Sequence, residues 1–279
     1  SFTLMILMLI TAFLETELGR HAPMTDKDKM VFVPRLTIKR MVVDTVITMD
    51  STYINNQLVV DSSFTYPEYD ESTSRSGMSN YFMDKYMSDI GGLKIYSILF
   101  GDSSFDFFLN SKKTTFQALF TDENFWDIYD FSFVEGNAYR KGQVDNGESV
   151  VVLTEKAGRA YFGQDRGIVG EEVVFENRTY TVIGVVEDTK NYQSYVHAEV
   201  YIPLTTLPAN TLDSKDLLGG GEVVFVGKDS RDREKIKKSL TQRAATFDEF
   251  IGEYSEYNRL ETVGFTFTER YADNIFEEA

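Results

Sequence analysis

The stretch Ser149–Gly163, SVVVLTEKAGRAYFG, decides the fold class because it joins a strand directly to a helix. Ser149–Leu153 is a short apolar run rich in β-branched residues, which is typical of a buried strand. Thr154 can cap the helix that follows, Glu155 favours the positive end of the helix dipole, and Gly163 supplies a left-handed stop. The stretch therefore predicts a fold that mixes strands and helices.

The segments around this unit continue the alternation of strands and short helices. Asp122–Tyr129 (DENFWDIY) begins with acidic residues and has aromatic residues at helical spacing, so it predicts a short helix. Glu172–Glu176 and Thr179–Val186 have strand character and flank Asn177-Arg178, which predicts a two-residue hairpin turn. Glu199–Pro203 is predicted as one further strand, ended by its proline.

The first third of the chain is dominated by strand signals. Runs rich in β-branched and aromatic residues predict strands at Val31–Val33, Leu36–Met49, Thr52–Val60, Leu93–Phe100, Phe105–Asn110 and Thr114–Phe120. The predicted turns between them are Asn55-Asn56, Gly101–Ser104 and Ser111–Lys113. Tyr66–Glu71 is predicted to start a helix, with Pro67 at its first position.

The last third carries a Gly-rich segment followed by a strand, a helix and a strand. Pro208–Gly221 (PANTLDSKDLLGGG) is predicted as a linker, and Glu222–Gly227 as a strand. Asp229–Ile251 has apolar residues on one helical stripe and predicts the clearest helix of the chain. Val263–Phe267 alternates apolar with small or polar residues, which predicts a half-buried final strand. This order of elements is that of a split βαβ unit.

The chain starts with an apolar run, Ser1–Leu14 (SFTLMILMLITAFL). A spanning helix needs about 20 such residues, so this run is too short to cross a bilayer alone. It lacks the basic n-region and the cleavage site of a secretory signal. We interpret it as the distal part of a transmembrane helix with an extracytoplasmic exit, because Lys and Arg are not concentrated just after it. The alternative is a buried N-terminal core helix.

The composition excludes several classes of function. The 279 residues include 44 Asp and Glu against 28 Lys and Arg, which gives a net charge of −16. Such an acidic surface repels nucleic acid phosphates and anionic lipid, so neither is expected to bind the body of the protein. The chain has no Cys, which removes thiol nucleophiles, disulfides and Cys-based zinc sites.

No residue pattern predicts a catalytic, cofactor-binding or metal site. The two histidines, His21 and His197, lie far apart in the sequence, and neither belongs to an H-E-x-x-H motif. The sequence has no phosphate-binding loop and no G-x-S-x-G elbow. Asn177-Arg178-Thr179 fits a glycosylation sequon, but the predicted turn accounts for the asparagine. Close acidic pairs are expected by chance among 44 acids, and we interpret as solvated surface the pairs Asp26/Asp28, Glu171/Glu172 and Glu277/Glu278.

The central part of the chain resembles the periplasmic core domain of MacB-type ABC transporter permeases. The resemblance is carried, in this order, by Phe120–Asn137, Ser149–Gly163, Ile168–Gly170, Tyr180–Val186 and Tyr201–Leu204. It is specific over residues 115–205 and weaker over 30–114 and 221–279, where mainly the order of elements agrees. These motifs specify turns and element ends, so the resemblance implies an architecture and no catalytic residue.

The resemblance implies an α+β fold with two extracytoplasmic lobes. A porter-like lobe with a split βαβ unit would comprise residues 30–115 and 211–279, and a smaller α/β lobe would be inserted at 116–210. Residues 1–14 would be the remnant of a transmembrane helix. The long polar stretch 61–90 departs from the pattern of the family.

The resemblance implies a function without catalysis in this chain. The domain would lie on the periplasmic side of an inner-membrane permease and couple ATP hydrolysis in the cytoplasm to export or mechanical work outside the membrane. Its expected partners are a cytoplasmic ABC ATPase subunit, a second permease copy in a homodimer or heterodimer, and a periplasmic adaptor or cargo protein. No cofactor is expected.

Two other classes of function stay open on the residues alone. A membrane-anchored ligand- or carbohydrate-binding module would arrange some of the 22 Phe and 16 Tyr around a deep cleft. A surface hydrolase would need two buried acids with raised pKa values that face a pocket. Most Phe and Tyr fall at alternating or helical core positions, which favours packing over an exposed aromatic platform.

Overall fold

The computed structural model describes residues 3–9, 11, 19, 21–42, 46–54, 57–65, 70–109, 112–175, 177–189, 196–247, 257 and 259–277. Its strands are β1 (Met30–Val33), β2 (Leu36–Val42), β3 (Val46–Ile54), β4 (Gln57–Thr65), β5 (Asp70–Met78), β6 (Leu93–Leu109), β7 (Lys112–Thr121), β8 (Phe133–Gly136), β9 (Val150–Thr154), β10 (Glu172–Phe175), β11 (Arg178–Val186), β12 (Val200–Pro203), β13 (Leu218–Gly219), β14 (Gly221–Gly227) and β15 (Arg259–Thr262).

The helices are short, apart from two near the C-terminus. They are α1 (Asn80–Phe82, continued by a π-helical turn at Met83–Met87), α2 (Phe125–Ile128), α3 (Lys141–Asp145), α4 (Glu155–Phe162), α5 (Ala209–Leu212), α6 (Asp232–Ala245) and α7 (Phe267–Glu277). Short 3-10 turns occupy Lys27–Lys29 and Leu204–Thr206. Within the described ranges, no helix combines the length and apolar character needed to cross a membrane.

Most strands join one large mixed sheet, which confirms the predicted α+β class. Its order is β10-β11-β9-β12-β7-β6-β14-β5-β2-β15, with β8 beside β11, β1 beside β14 and β13 beside β5. β9 runs parallel to β11, and β12 runs parallel to β7. The strands predicted for the two lobes meet in this sheet at β6 and β7, and the lobe boundaries stay a prediction.

Helices cover both faces of the sheet, because the apolar residues of the strands alternate between two clusters. In β1, Val31 and Val33 belong to one cluster, whereas Met30 and Phe32 belong to the other. This alternation follows from side chains that point to opposite faces of a strand. Side chains of α1, α4 and α6 complete the first cluster, and those of α2, α3 and α7 complete the second.

The strand–helix unit that set the fold class is present as predicted. β9 and α4 follow each other directly, and the Thr154 hydroxyl accepts a hydrogen bond from the Ala157 N–H at 3.3 Å. Gly163 ends α4 with a φ of 76°, in the left-handed region that glycine favours. α2, β12 and β14 also lie where the sequence predicts them.

The predicted turn at Gly101–Ser104 is wrong, because β6 continues through it. Phe100 pairs with Phe120 and Ser103 pairs with Ala118, so β6 carries one extra residue, a β-bulge. Without this bulge Phe100 and Phe105, five residues apart, would face opposite sides of the sheet. With it, both belong to the same cluster, so packing explains a feature that local sequence suggests is a turn.

Two predictions for the region around β2 also differ from the structure. The predicted strand Leu36–Met49 is divided into β2 and β3, with residues 43–45 outside the described ranges. Of the helix predicted at Tyr66–Glu71, residues 66–69 lie outside them too. Asp70 and Glu71 belong to β5 instead, opposite Val42 and Met41 of β2, so the helix is wrong at this end.

Two turn assignments shift. The hairpin of β10 and β11 pairs Phe175 with Arg178, so its turn lies one residue earlier than predicted. Asn177 has a φ of 64°, and residue 176 lies outside the described ranges. Ile54 pairs with Gln57, and the predicted turn residues 55–56 between them are likewise not described.

The Gly-rich segment predicted as a linker is packed into the sheet. Pro208–Gly221 includes α5 and β13, and Leu217 within it is buried. A Cβ at Gly77 of β5 would lie 2.5 Å from the carbonyl oxygen of Gly221, so the two backbones approach more closely than a side chain permits. The glycines therefore serve a close strand contact.

The C-terminal strand predicted at Val263–Phe267 is wrong, apart from a β-bridge at Phe265. The strand after α6 is β15, Phe265 makes an isolated bridge with Phe32, and Phe267 begins α7. β1 is antiparallel both to β14 and to the bridge at Phe265, so β14 and the backbone at Phe265 run parallel on either side of β1. That arrangement is a split βαβ unit, with α6 between its outer members in sequence.

The N-terminal helix is exposed where it is described. Residues 3–9 are helical, and the side chains from Leu4 to Leu9 are 39–63% exposed. A buried core helix is therefore wrong for these residues. That they are the remnant of a transmembrane helix stays a prediction.

Candidate functional site at the joint between the chain ends

The start of α7 is fixed by a reciprocal cap. The Glu269 carboxylate accepts a hydrogen bond from the backbone N–H of Thr266 at 2.6 Å, and the Thr266 hydroxyl accepts one from the N–H of Glu269 at 3.3 Å. A capping box of this kind satisfies two otherwise unpaired helix donors. It sets the position at which the chain leaves the sheet and becomes helical.

The cap is also tied to α6 by an ion pair. Lys237 Nζ lies 3.0 Å and 2.9 Å from the two carboxylate oxygens of Glu269. Burial opposes ionisation of Glu269, but the N–H and hydroxyl of Thr266 and the ammonium of Lys237 hold its pKa below the usual value. The carboxylate therefore stays charged and holds α6 and α7 together.

A buried arginine joins α7 to the sheet. The Arg270 side chain is 9% exposed, and its guanidinium lies 3.0 Å from Glu222 of β14 and 3.3 Å from Asp273 of α7. Asp273 also accepts a hydrogen bond from Arg35, at 3.1 Å, in the turn between β1 and β2. These charged groups form one chain of contacts across three parts of the fold.

Apolar contacts place the N-terminal segment against the same helix end. Phe267 is 4% exposed and packs edge-on to Phe32 of β1, with 6.3 Å between ring centroids. Lys27 Nζ lies 4.0 Å from the centroid of the Phe267 ring, a cation–π contact. Phe32 and Phe265 exchange backbone hydrogen bonds of 2.7 Å and 2.8 Å. Residues before β1 and after β15 therefore meet.

We call this region the terminal joint; it comprises Lys27, Phe32, Arg35, Glu222, Lys237, Phe265, Thr266, Phe267, Glu269, Arg270 and Asp273. It links the two ends of the described body to β14 and α6 through ion pairs, a cap and ring packing. Nothing in this set is arranged as a nucleophile with a general base. The arrangement can hold two chain ends in a fixed relation to the sheet.

The two histidines weighed in the sequence have different partners. His197 Nδ1 lies 2.8 Å from the hydroxyl of Thr189. His21 is exposed and makes a backbone bridge with Met24. In the part of the chain that the structure describes, no group of three or more His, Asp and Glu side chains could hold a metal ion.

The acidic pairs are scattered as well. Asp26 forms an ion pair with Lys29 at 2.8 Å. Glu171 and Glu172 are exposed at the start of β10. The side chain of Glu277 and the whole of Glu278 lie outside the described residues. Asp26, Glu171 and Glu172 therefore fit the solvated-surface interpretation, whereas Asp28 is half-buried and one of its carboxylate oxygens is shielded from solvent.

Asp122 is the buried acid with the largest change in ionisation among the described residues. Its carboxylate accepts hydrogen bonds from the Ser97 hydroxyl at 2.6 Å and from the N–H groups of Ile98 and Phe125 at 3.2 Å and 3.1 Å. Burial raises its pKa to about 7, against the effect of these three donors. All three hydrogen-bond partners are donors, a hydroxyl and two backbone N–H groups, so these bonds do not join Asp122 to a second carboxyl group.

A cleft lies between α6 and β15. Its volume is about 460 Å³, and Phe247 is the one aromatic residue among those that line it. The aromatic side chains pack elsewhere: Trp126 lies within 5.1–5.5 Å, between ring centroids, of Phe125, Phe131, Phe133, Tyr139 and Tyr201. This packing gives no support to an aromatic-lined carbohydrate site.

The sequence interpretation missed the terminal joint. Its local signal was present, since Thr266 and Glu269 have the spacing of a capping box. The alternation of Val263, Phe265 and Phe267 favoured a strand instead. The contact between Arg270 and Glu222 spans 48 positions, and no local pattern predicts such a pair.

Comparison with known proteins places the chain in a family. Residues 38–243 match the family model described as the MacB-like periplasmic core domain. The macrolide export ATP-binding/permease protein MacB of Salmonella paratyphi A is 28% identical over 120 residues, which is 43% of this chain and 18% of that protein. MacB of Escherichia coli K12 is 27% identical over 129 residues, 46% of this chain and 20% of that protein. The match thus spans about a fifth of these relatives.

Solved structures share the fold at low sequence identity. A domain of a putative permease from Porphyromonas gingivalis has a TM-score of 0.58 and 14% identity, covering 89% of this chain and 92% of that one. The periplasmic region of MacB from Actinobacillus actinomycetemcomitans has a TM-score of 0.50 and 18% identity, covering 73% and 85%. Both likenesses bear on the fold alone.

Proposed function

This chain belongs to the MacB-like periplasmic core domain family, and we propose that, as the extracytoplasmic domain of an ABC transporter permease, it carries movement from membrane helices to partners outside the inner membrane. ATP hydrolysis belongs to a separate cytoplasmic ATPase subunit, and this chain contributes no catalytic step. A second permease copy, in a homodimer or heterodimer, completes the moving unit.

The terminal joint is the observation that carries the proposal. Transmission of a pull or a rotation requires that the chain ends not pivot freely on the body. Arg270 binds Glu222 of the sheet, and Lys237 binds the capping residue Glu269. Phe267 packs on Phe32 and under Lys27. A displacement of either chain end therefore reaches β1, β14 and α6 together.

The N-terminal residues support a membrane connection. The apolar side chains of helical residues 3–9 are exposed, as expected of a helix whose natural surroundings are lipid. In this proposal they continue a transmembrane helix into the N-terminal side of the joint, and α7 leads from its C-terminal side back toward the membrane. An adaptor or cargo protein would meet the sheet and hairpins beyond the joint.

A distance measurement across the dimer tests the proposal. The natural full-length permease and its ATPase would be placed in lipid nanodiscs, with a spin label on a cysteine that replaces exposed Lys238. Because the described chain has no native cysteine, the label is unique there. We expect ATP with vanadate to change the distance between labels in the two copies, and an Arg270→Ala variant to lose most of that change while ATP hydrolysis continues.

Arg231→Ala is the matched control, because Arg231 forms an ion pair with Asp229 at the start of α6 and its side chain is 86% exposed. It should keep the full distance change. If ATP produces no distance change in the unmodified protein, mechanical coupling is wrong. If Arg270→Ala moves like the unmodified protein, coupling does not pass through the terminal joint.

A further inference from the structure

The two edge strands of the main sheet differ in what lies beside them. β10 forms one end of the sheet, and its edge is bonded to its own chain, because the Val174 N–H donates a hydrogen bond to the hydroxyl of Tyr161 at 3.1 Å. β15 forms the other end and pairs with β2 alone among the described strands. In an antiparallel pair every second residue directs its N–H and C=O away from the partner strand, so β15 presents backbone donors and acceptors along its outer edge.

The outer edge of β15 faces the cleft between this strand and α6. Every residue from Arg259 to Gly264 lines the cleft, although successive side chains of a strand point to opposite faces. Residues of both faces line a single cleft when that cleft runs along the edge of the strand. The backbone groups of β15 therefore border a volume of about 460 Å³.

The wall opposite β15 is a stretch of α6 with mostly small side chains. Thr241, Ala244 and Ala245 of the helix line it, with Phe247 just beyond the helix end. These small side chains leave room for another chain between α6 and the edge of β15. A groove between an edge strand and a helix is suited to β-strand addition, in which an extended peptide pairs with the edge and places alternate side chains beside the helix.

A buried hydroxyl on the helix-facing side of β15 lacks a partner. A Cβ on Gly264 would lie 3.3 Å from side-chain atoms of Leu240 and Lys237, so this residue faces α6, and by alternation Thr262 does too. Within the described ranges, Thr262 is 6% exposed, and its Oγ1 is shielded from solvent and has no hydrogen-bond partner. A buried polar group without a partner costs free energy, and a backbone group that enters between α6 and β15 would supply the missing hydrogen bond.

Charge is not what this groove offers a ligand. Its two cations are already paired, Lys237 with Glu269 at 2.9 Å and Arg259 with Glu261 at 2.9 Å. The exposed side chain at the rim is apolar, since Val263 is 57% exposed. Recognition in the groove therefore rests on backbone hydrogen bonds and small apolar contacts.

We propose that the groove between α6 and β15 binds an extended peptide segment of another protein, which adds a strand to the edge of β15. The segment carries small apolar side chains at every second position, because these side chains face Ala244 and Thr262 between the helix and the strand. At about 3.4 Å per residue, the stretch from Arg259 to Gly264 offers roughly 20 Å of edge, enough to pair about six peptide residues. Lys237 lines the groove and belongs to the terminal joint, so the bound segment lies next to the joint. The inference goes beyond the proposed function, since binding here requires neither ATP nor movement.

Photo-cross-linking at the two ends of the sheet tests where a partner binds. In cells that express the natural permease, p-benzoylphenylalanine would replace Val263 at the groove or, as the matched control, Val174 on β10; the two side chains are 57% and 49% exposed. We expect a discrete protein adduct from position 263, at least about fivefold weaker from position 174. Ala245→Trp, which fills the groove from an exposed position of α6, should remove the adduct, whereas Gln242→Trp, exposed on the same helix but not among the lining residues, should keep it.

N-methylation distinguishes strand addition from other modes of peptide binding. A synthetic peptide with the cross-linked sequence, identified by mass spectrometry, would be titrated onto the full-length permease in nanodiscs and followed by fluorescence polarisation. Because every second peptide N–H pairs with β15, N-methylation at alternate residues should weaken binding about tenfold, and at the residues between them by less than about twofold. High salt should change the affinity by less than about twofold, because the cations of the groove are already paired.

Several results would overturn the inference. They are no adduct at position 263, an adduct to lipid or to a second copy of the chain, equal adducts at positions 263 and 174, an adduct that survives Ala245→Trp, and N-methylation effects without a two-residue period. Slow hydrogen exchange of the outward amides of β15 in the peptide-free permease would overturn it too, because the chain itself would then fill the groove.

Discussion

The protein has two long hairpins, β3–β4 and β6–β7, whose described aromatic side chains lie in different environments. In the outer part of the β6–β7 hairpin, Phe105, Phe107 and Phe116 share one face and are buried. Phe175 of β10 stacks on Phe105 at 5.1 Å, and Tyr161 of α4 lies 5.4 Å from Phe107, both between ring centroids. On the β3–β4 hairpin, by contrast, Tyr53 is 73% exposed.

The polar faces differ in the same sense. On β6–β7, Asp106 accepts a hydrogen bond from the opposed Thr115 at 2.6 Å and forms an ion pair with Lys113 at 2.8 Å. Both partners lower the pKa of Asp106, and Lys113 has the larger effect. On β3–β4, two acids stand opposite each other. The β6–β7 hairpin therefore finds partners for both faces within its own chain, whereas the register of β3–β4 pairs like charges.

The largest expected effect comes from truncating the covered face. Phe105→Ala should lower the free energy of unfolding by about 3–5 kcal/mol, because it leaves a cavity between Phe120 and Phe175. Tyr53→Ala, its counterpart on the open face, should change it by less than about 0.5 kcal/mol. Urea unfolding followed by the fluorescence of Trp126, the single tryptophan, measures both.

The contrast between the two hairpins is wrong if Phe105→Ala and Tyr53→Ala lower the free energy of unfolding by the same amount. An equal and small cost would mean that β10 and α4 do not hold the β6–β7 hairpin in solution. An equal and large cost would mean that Tyr53 is covered within the chain in solution.

A second effect lies at the root of the covered hairpin, where Asp122 binds β6 through Ser97 and Ile98. Burial raises its pKa to about 7, so between pH 4 and 7 the folded state keeps a proton that the unfolded state has lost. The stability that this protonated group contributes is complete below pH 4 and is lost as the pH rises through 7. Relative to Asp122→Asn, the unfolding free energy should fall by on the order of 3 kcal/mol over this range.

The measurement is the difference in unfolding free energy between wild type and Asp122→Asn at several pH values. Taking the difference removes the general effect of the other acids. A flat difference from pH 4.5 to 7.5 would show that the three donors outweigh burial and keep Asp122 ionised, so that the root of the hairpin does not respond to pH.

Local sequence signals predicted the elements whose start and end are determined by residues close in sequence. The Thr154 cap and the Gly163 stop of α4 are confirmed because each depends on its neighbours in sequence. The order of motifs from Phe120 to Leu204 was enough to indicate the family, which the match over residues 38–243 confirms.

Contacts between distant segments account for what local signals could not predict. The bulge in β6 is visible only when Phe100 and Phe105 are required to face one core. The alternating residues that suggested a last strand lead into α7 instead, because Phe267 packs on Phe32 and Thr266 caps the helix. The terminal joint needs Glu222 and Arg270, which the sheet brings together, so its residues could not be chosen from sequence alone.

The smallest expected effect exchanges the polar faces of the two hairpins. Asp50→Lys places a cation opposite Asp61 and should slow amide hydrogen exchange in β3 and β4 by roughly twofold. Thr115→Asp places an acid opposite Asp106, recreating the acidic pair in β6 and β7, and should speed exchange there. If Asp50→Lys instead leaves exchange unchanged, the opposed acids do not weaken the pairing of β3 with β4, and the difference between the two hairpins reduces to the surroundings of Phe105 and Tyr53.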